Sequence, residues 1–440
     1  MLHADSFLPL MNIFRPLTRL SGRFSLPPPK SLRGVFHRLV WESSIASGFT
    51  VITAGGLLIG LAKYLDAANW QISLLNAMVF LVMPFQTILG GFFNRPPIRK
   101  EVVIITAAIG RVLWIAPMML VLWKPQHAVW WLLIFVFAMN LAFTISQLCW
   151  LSWVGDLIAV DLRGRFFGAR QRGASIVNII SLLSAGALLD WMRKSGREDM
   201  GHFLLGCAAI LAGMVSLFLL TKIPRTIRTR TEKITEFTVD VHPWNDPPYR
   251  RVMIGFGCWY TAVGFAGPYW AVHMLTYLDF GYTALTAYGA FFTVMMALVS
   301  PRAGKWVDKH GDHDVATVGM IALSTVSMFW IFITKNVWFM IIPEVIVTAF
   351  GWAAVQLTSS TLPLRYSNEL TRNKYVAHLA MVQGVGFTVG SIIGGSLMDV
   401  WASSRGMLFG MPIYPTHFAF AMTAVLRWTT AMYFSRLKSS

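Results

Sequence analysis

Apolar runs of about 20 residues, the length that crosses a hydrocarbon core of ~30 Å, recur from Trp41 to Phe434 with short polar interruptions. The runs and their breaks predict helices over 41–64, 70–93, 101–123, 128–154, 166–192, 200–222, 252–277, 283–303, 314–334, 337–362, 375–401 and 413–434. Twelve such spans describe an all-α membrane protein and leave little mass for a soluble domain. The longest connection, Lys222 to Arg251, reads KIPRTIRTRTEKITEFTVDVHPWNDPPYRR and falls near the middle of the chain. Its charge density and prolines mark a linker between two bundles. The expected organisation is a basic tail over 1–40, a six-helix bundle over 41–222, a linker over 223–251, a second six-helix bundle over 252–435 and a short tail over 436–440.

Composition agrees: of 440 residues, 55% are hydrophobic and 13% charged, where soluble domains carry roughly 25% charged residues. The net charge of +17 would point to nucleic acid in a soluble protein, but across a membrane the position of each cation decides its meaning. With the N-terminus inside, the inside segments hold 28 of the 37 Lys and Arg and the outside loops seven, while Arg111 and Arg427 lie within spans. This bias places both termini in the cytoplasm, with no nucleic-acid partner. The first 40 residues carry Arg15, Arg19, Arg23, Lys30, Arg33 and Arg38 against Asp5 and lack a basic region before their apolar stretch, so they read as a cytoplasmic tail. An organelle transit peptide is the alternative, against which Pro9, Pro16 and Pro27 to Pro29 count. Cys149, Cys207 and Cys258 all fall inside spans and make no disulfide framework.

An offset of 209 residues superposes part of one half on the other. It aligns Arg163 with Arg372, Arg165 with Lys374, Phe166 with Tyr375, Gly186 with Gly395, Leu188 with Leu397, Asp190 with Asp399 and Gln147 with Gln356. Such self-similarity suggests an internal repeat. Helix packing alone would account for the glycines, but not for basic and acidic residues recurring at both ends of a helix.

Two six-helix halves, a basic central loop and a charged turn between the second and third helix of each half resemble the major facilitator superfamily, over roughly residues 39 to 436. The family's signature turn is matched in the second half by Gly304, Asp308, Lys309 and Gly311, with Asp312 where a basic residue is usual. The first copy, GGFFNRPPIRK, keeps Gly90, Arg95, Arg99 and Lys100 but has Asn94 in place of the acid. The stretch WVGDLIAVDLRGRFFGARQRG, with Asp156, Arg163 and Arg165, also resembles the family's segment between helices 4 and 5. The resemblance implies twelve transmembrane helices in two pseudo-symmetric bundles that transport by alternating access. It also implies a cytoplasmic gate, here Arg95, Asp156, Arg163, Arg165, Gly304, Asp308 and Lys309. A carboxylate at a helix N-terminus is worth on the order of 0.3–2 kcal/mol, which biases two conformations without locking either. Helix 5 lacks the Gly-Pro-x-x-Gly-Gly element of drug-proton antiporters, and Gly386, Gly390 and Gly394 of helix 11 read as close helix packing.

An ionised side chain at the bilayer centre costs ~2.5–3.5 kcal/mol on insertion scales, so each one asks for a function or a partner. Spacing by four places Glu344, Thr348, Trp352 and Gln356 on one face of helix 10, and Trp259, Ala262, Ala266, Trp270 and His273 on helix 7, with Tyr269 beside them. Helices 1, 4, 7 and 10 line the central cavity in the family. Glu344 and His273, at similar depth, would form a proton-coupling pair if they met across the outer mouth. The alternative is a hydrogen-bonded carboxylate in a wet vestibule and an interfacial histidine. Helix 4 contributes Asn140, Thr144 and Gln147, and helix 1 Ser43, Ser47 and Thr50. The expected substrate contacts are Asn140, Thr144, Gln147, Tyr269, Trp270, Thr348, Trp352 and Gln356, suited to a moderately polar organic molecule. Arg111 and Arg427, on helices peripheral in the family, read as snorkelling or structural; Glu42, near the inner end of helix 1, serves the gate or coupling. The DKHGDHD cluster has metal-compatible residues but occupies the signature turn, so it reads as an exposed loop.

These patterns lead to a secondary transporter of a small organic solute; with no nucleotide-binding loop present its energy is expected to come from a gradient, and residue type and the family resemblance make protons the expected coupling ion. One proton is worth ~2.3 kcal/mol per 100 mV. No cofactor or metal is expected, and the chain is expected to act as a monomer in a bacterial inner (plasma) membrane. Two other classes are open: a scaffold or receptor of the same fold that has lost transport, toward which Asn94 leans, and a membrane enzyme, for which no nucleophile and base converge. A wet cavity lined by Asn140, Gln147, Trp270, Glu344 and Trp352 favours transport over both.

Overall fold

The computed structural model describes residues 30–85, 98–158, 160–224, 242–368, 371–404, 406–408 and 411–437. Each predicted span falls mainly on helix over its described residues, residues 86–93 of the second span lying outside them. The first half comprises α1 (Lys30–Ile52), α2 (Gly55–Tyr64), α3 (Asn69–Leu81), α4 (Arg99–Leu113), α5 (Ile115–Trp123), α6 (Ala128–Leu157), α7 (Val160–Lys194) and α8 (Glu198–Thr221). The second comprises α9 (Pro247–Ala266), α10 (Tyr269–Val272), α11 (Tyr282–His310), α12 (Asp312–Phe332), α13 (Ile341–Tyr366), α14 (Arg372–Val400) and α15 (Pro415–Ser435). A short antiparallel hairpin, β1 (Gly406–Leu408) and β2 (Met411–Ile413), joins α14 to α15. Among the described residues, nine helices are long and apolar enough to cross a membrane, and Asn69–Phe85 is a shorter apolar one. Large apolar side chains such as Trp123, Leu211 and Ile180 face outward, as lipid requires and water does not tolerate in quantity.

Local sequence explains the breaks. Helix 1 divides where Gly55 takes a φ of +58°, a conformation open to glycine at little cost. Helix 7 divides at Gly267-Pro268 and continues through α10 into a π-helical turn, His273–Tyr277. Gly311, with a φ of +84°, turns the chain from α11 into α12 inside the signature motif. Pro247 opens α9 behind the Asp246 cap, whose carboxylate accepts the Tyr249 amide at 3.3 Å. Helix starts differ most from expectation at α1, which begins at Lys30, and α7, which begins at Val160; Gly34 and Gly164 lie inside these helices and do not stop them.

The halves meet along two seams, α3 against α14 and α7 against α11. The glycine stripe of α14 lies on α9: a Cβ at Gly386, Gly390 or Gly394 would run into the backbone at Gly257, Thr261 or Phe265. Apolar packing is uneven along the molecule. At the end opposite the central linker, one continuous core joins both halves, from Phe49, Leu132 and Leu189 to Trp330 and Phe420. Toward the linker it divides into one cluster around Trp153 and Phe166 and another around Trp259 and Phe434.

Candidate functional site

A cavity of about 1010 Å³ is lined by residues of both halves. Its wall includes both helix breaks, with Thr53, Ala54, Gly55 and Gly56 on one side and Gly267 on the other. Broken helices expose backbone dipoles without a helical partner, and in membrane proteins such backbone is tolerated where it lines a cavity. The Gly55-Gly56 and Gly267-Pro268 pairs were the legible signals for this arrangement. Of the expected contacts, Asn140, Thr144 and Gln147 of α6 and Trp270 of α10 line the cavity, as do Ser43, Ser47 and Thr50 of α1.

The others lie elsewhere. Tyr269 is buried in the seam, where its hydroxyl bonds Ser73 at 2.7 Å and the Asn69 carbonyl at 3.3 Å. Thr348 donates to Glu344 at 2.7 Å, Trp352 packs against the core around Trp259, and Gln356 is exposed. Glu344 sits one layer behind the cavity wall, 1% exposed, where it also accepts from the hydroxyl of Tyr288, a lining residue, at 3.3 Å. His273 bonds Thr416 of α15 at 2.7 Å, and its ring packs on His417 and Trp330. No hydrogen bond or ion pair joins His273 to Glu344; Trp330 borders both. The stripe argument assumed one continuous helix, whereas the Gly267-Pro268 break changes the angular register before His273, where a π-turn begins.

Polar residues not among the expected contacts also form the wall: Glu42, Arg111, Arg170, Gln171, Asn178 and Tyr288. Arg111 is buried, donating to Ser216 at 2.8 Å and to the Ala107 carbonyl at 2.9 Å, and Ser216 in turn donates to Glu42 at 3.1 Å. Arg111 therefore faces the interior, not the lipid. Arg427 keeps a structural place, buried between Ser327, the Leu323 carbonyl and the rings of Trp259 and Trp270. Arg170 belongs to the third turn of α7; a predicted start at 166 had left it at the membrane edge.

Of the expected gate residues, Arg95 lies outside the described residues. Asp156, near the end of α6, pairs with Arg99, the first residue of α4, at 2.6 Å. Arg163 caps the end of α6 through the Gly155 carbonyl at 2.7 Å. Arg165 is half-buried, Gly304 lies within α11, and Asp308 and Lys309 are exposed in its last turn. In the second half the pairing acid is Asp312, the first residue of α12, which accepts from Thr361 and meets Arg365 near the end of α13 at 3.5 Å. The two bridges occupy corresponding places with the charges exchanged, and each stays within its own half. Among the described residues, His/Cys/Asp/Glu groups that could hold a metal number none.

The end opposite the linker is bonded across the halves. Asp399, at the end of α14, accepts the amides of Asn69 and Trp70 at 3.0 and 3.2 Å. Asp190, at the end of α7, accepts the amides of Tyr282 and Thr283 at 2.7 and 2.8 Å. Each carboxylate thus caps the N-terminus of a helix in the opposite half, where unpaired N–H groups favour an anion. Tyr282 adds a bond to Glu198 at 2.8 Å, and Lys63 one to Thr276 at 2.5 Å. The 209-residue repeat had matched Asp190 with Asp399 and Gly186 with Gly395. Both glycines lie in the seams, at Tyr282 and Thr286 and at Trp70 and Ser73 respectively.

Comparison with known proteins agrees with this architecture. The family model described as Major Facilitator Superfamily matches residues 40–369 and 252–435. A mutant form of the nucleoside transporter NupG aligns with a TM-score of 0.71 at 12% identity, covering 92% of this chain and 100% of that one. A bacterial homologue of the iron transporter ferroportin, in an inward-facing state, gives 0.67 at 12% identity, with 93% and 100% covered. A bacterial homologue of the human lysosomal transporter Spinster, inward-facing and occupied, gives 0.62 at 15% identity, with 94% and 97% covered. No curated protein sequence matches significantly. At these identities the structural likeness establishes fold, while the family match spans most of the chain: the protein is a membrane transporter of the Major Facilitator Superfamily, and not an enzyme.

Proposed function

We propose that this protein is a secondary active transporter that moves a small organic solute by alternating access, coupled to protons. The observation that carries the reading is the uneven closure of the two halves. One core and a set of cross-half hydrogen bonds seal the end opposite the linker, the polar bridges at the linker end are internal to each half, and a large cavity lies between. With the linker and both termini in the cytoplasm, as the Lys and Arg distribution supports, this is an inward-facing state. The inward-facing titles of two similar structures accord with it.

Within this reading Asn140, Thr144, Gln147 and Trp270 contact the solute from the wall. Glu344 is the coupling carboxylate, reached from the cavity through Tyr288, and His273 has a packing role against α15. The Arg99–Asp156 and Asp312–Arg365 bridges sit where the cytoplasmic gate closes. The transporter acts as a monomer in a bacterial plasma membrane, and no cofactor enters the cycle. The experiment is reconstitution into liposomes containing a pH-sensitive dye, screened with metabolite and drug pools, beside Glu344→Gln. Substrate-driven acidification lost in the Gln variant is the expected result. Equal flux in both removes Glu344 from coupling, and silence across all pools favours a scaffold that has lost transport.

A further inference from the structure

Three charged residues line the cavity, and their signs do not balance: Glu42 against Arg111 and Arg170. Glu42 is 5% exposed and Arg111 5% exposed, linked through Ser216 as carboxylate, hydroxyl and guanidinium in series. The carboxylate lies within electrostatic reach of both arginines, on α4 and α7, with Ser216 of α8 and Trp150 of α6 completing its surroundings. One negative charge cannot neutralise two cations, and an excess charge in a bilayer is costly unless a partner arrives.

Arg170 is the cation left over. Its guanidinium stacks over the Trp150 ring, with the carbon 4.6 Å from the ring centroid. Among the described residues, no hydrogen-bond acceptor engages it, and its Nε is buried without a partner. A guanidinium placed over an indole face and bonded to no protein acceptor has N–H groups available for two oxygens of a carboxylate or phosphate. The same cavity wall also carries Gln171 and Asn178 from α7, and Asn140 and Gln147 from α6. These groups suit hydroxyls or amides on the same molecule.

We propose that the solute is an organic anion, whose carboxylate or phosphate is received by Arg170 on its Trp150 platform, while Glu42 and Ser216 hold Arg111 in the wall. This deepens the transport reading and rests on it. Charge-assisted hydrogen bonds of about 1.5–3 kcal/mol correspond to about tenfold or more in apparent affinity.

The test uses full-length protein in liposomes on a solid-supported membrane, challenged with three probe pools. These are anions (benzoate, citrate, glutamate, phenyl phosphate), uncharged compounds (benzamide, glucose, uridine) and cations (choline, spermidine). The expected result is a current from the anion pool, reduced about tenfold or more in Arg170→Gln and partly restored in Arg170→Lys. Individual probes then separate carboxylate from phosphate. Current from the uncharged or cationic pool with the anion pool silent, or an anion current equal in Arg170→Gln, overturns the proposal and leaves the transporter reading standing. A pool that raises no current but acidifies liposomes holding a pH-sensitive dye moves its anion with a balancing proton and is scored as transport; silence of every pool in both readouts counts against transport itself. In that case phenylglyoxal labelling, read by peptide mass spectrometry, decides the site. Protection of Arg170 by the anion pool and not by the uncharged pool supports it, and equal labelling removes it.

Discussion

At the residue scale, the most exacting positions are those with no room or no spare partner. Gly390 of α14 approaches Thr261 of α9 so closely that a single methyl would overlap the Thr261 carbonyl. Gly390→Ala should force the helices apart at about 1–3 kcal/mol, read as a lower unfolding midpoint, whereas Gly304→Ala, within α11 where a Cβ meets nothing within 4 Å, should raise the midpoint slightly, by about 0.5–1 kcal/mol of helix propensity. Glu344 makes a second case. Thr348 is its nearer donor, at 2.7 Å, and Thr348→Val removes the hydroxyl with little change of shape. A buried carboxylate deprived of a donor loses about 1.5–3 kcal/mol. Adding Glu344→Gln should recover much of this, because the amide has no charge to bury; a double variant as unstable as the single would assign the loss to packing. The glycine stripe was legible because its meaning depends on spacing within one helix. Arg170 was not, because its depth depends on where α7 begins, and Gly164 lies inside that helix without stopping it.

At the scale of elements, the two halves use the same scaffold with exchanged partners. Arg99 opens α4 and Asp156 ends α6, while Asp312 opens α12 and Arg365 ends α13. The exchange recurs deeper: Arg111 of α4 bonds Ser216 of α8, and Arg427 of α15 bonds Ser327 of α12. Helix dipoles distinguish the two outer bridges. An acid at an N-terminus and a base at a C-terminus match the dipole, so the second-half bridge is favoured and the first-half bridge is opposed. Exchanging the charges in the first half, as Arg99→Asp with Asp156→Arg, should therefore raise the unfolding midpoint, and Asp312→Arg with Arg365→Asp should lower it, each by on the order of 1 kcal/mol given the exposure of these groups. Equal and opposite effects would vanish at high salt; a loss in both swaps would mean that surrounding contacts, not dipoles, set the preference. Sequence showed the unusual acid at Asp312 as a departure from the signature. It could not show that Arg365 answers it, since the pairing is between helices and follows no fixed spacing.

At the scale of the whole molecule, the proposed alternating access requires that the sealed end open, so the strength of the seal would set how often it does. The seal rests on two carboxylates, Asp190 and Asp399, each holding two amides at the start of a helix in the other half. The repeat had already paired these residues by position; their role depends on the seams between halves, which no single-helix pattern contains. Hydrogen bonds to a charged acceptor are worth about 1.5–3 kcal/mol, and each 1.4 kcal/mol shifts a two-state ratio by about tenfold. Asp→Asn at one site keeps the size of the cap but replaces one accepting oxygen by a donor that faces a donor. Asp190→Asn alone should therefore favour opening by about one order of magnitude, and the double variant with Asp399→Asn by about two or more. Spin labels at His127→Cys and Asn336→Cys, both exposed at the sealed end of opposite halves, would read this as a distance distribution, in a background with Cys149, Cys207 and Cys258 replaced. Wild type should give one short distance and the double variant a second, longer one. An unchanged distribution would place the seal in the continuous core around Phe49, Trp330 and Phe420, with the carboxylates aligning helices whose separation apolar packing controls. A longer distance without substrate, together with weaker accumulation in liposomes, would identify the two aspartates as the latch that the rocking halves must release on every cycle.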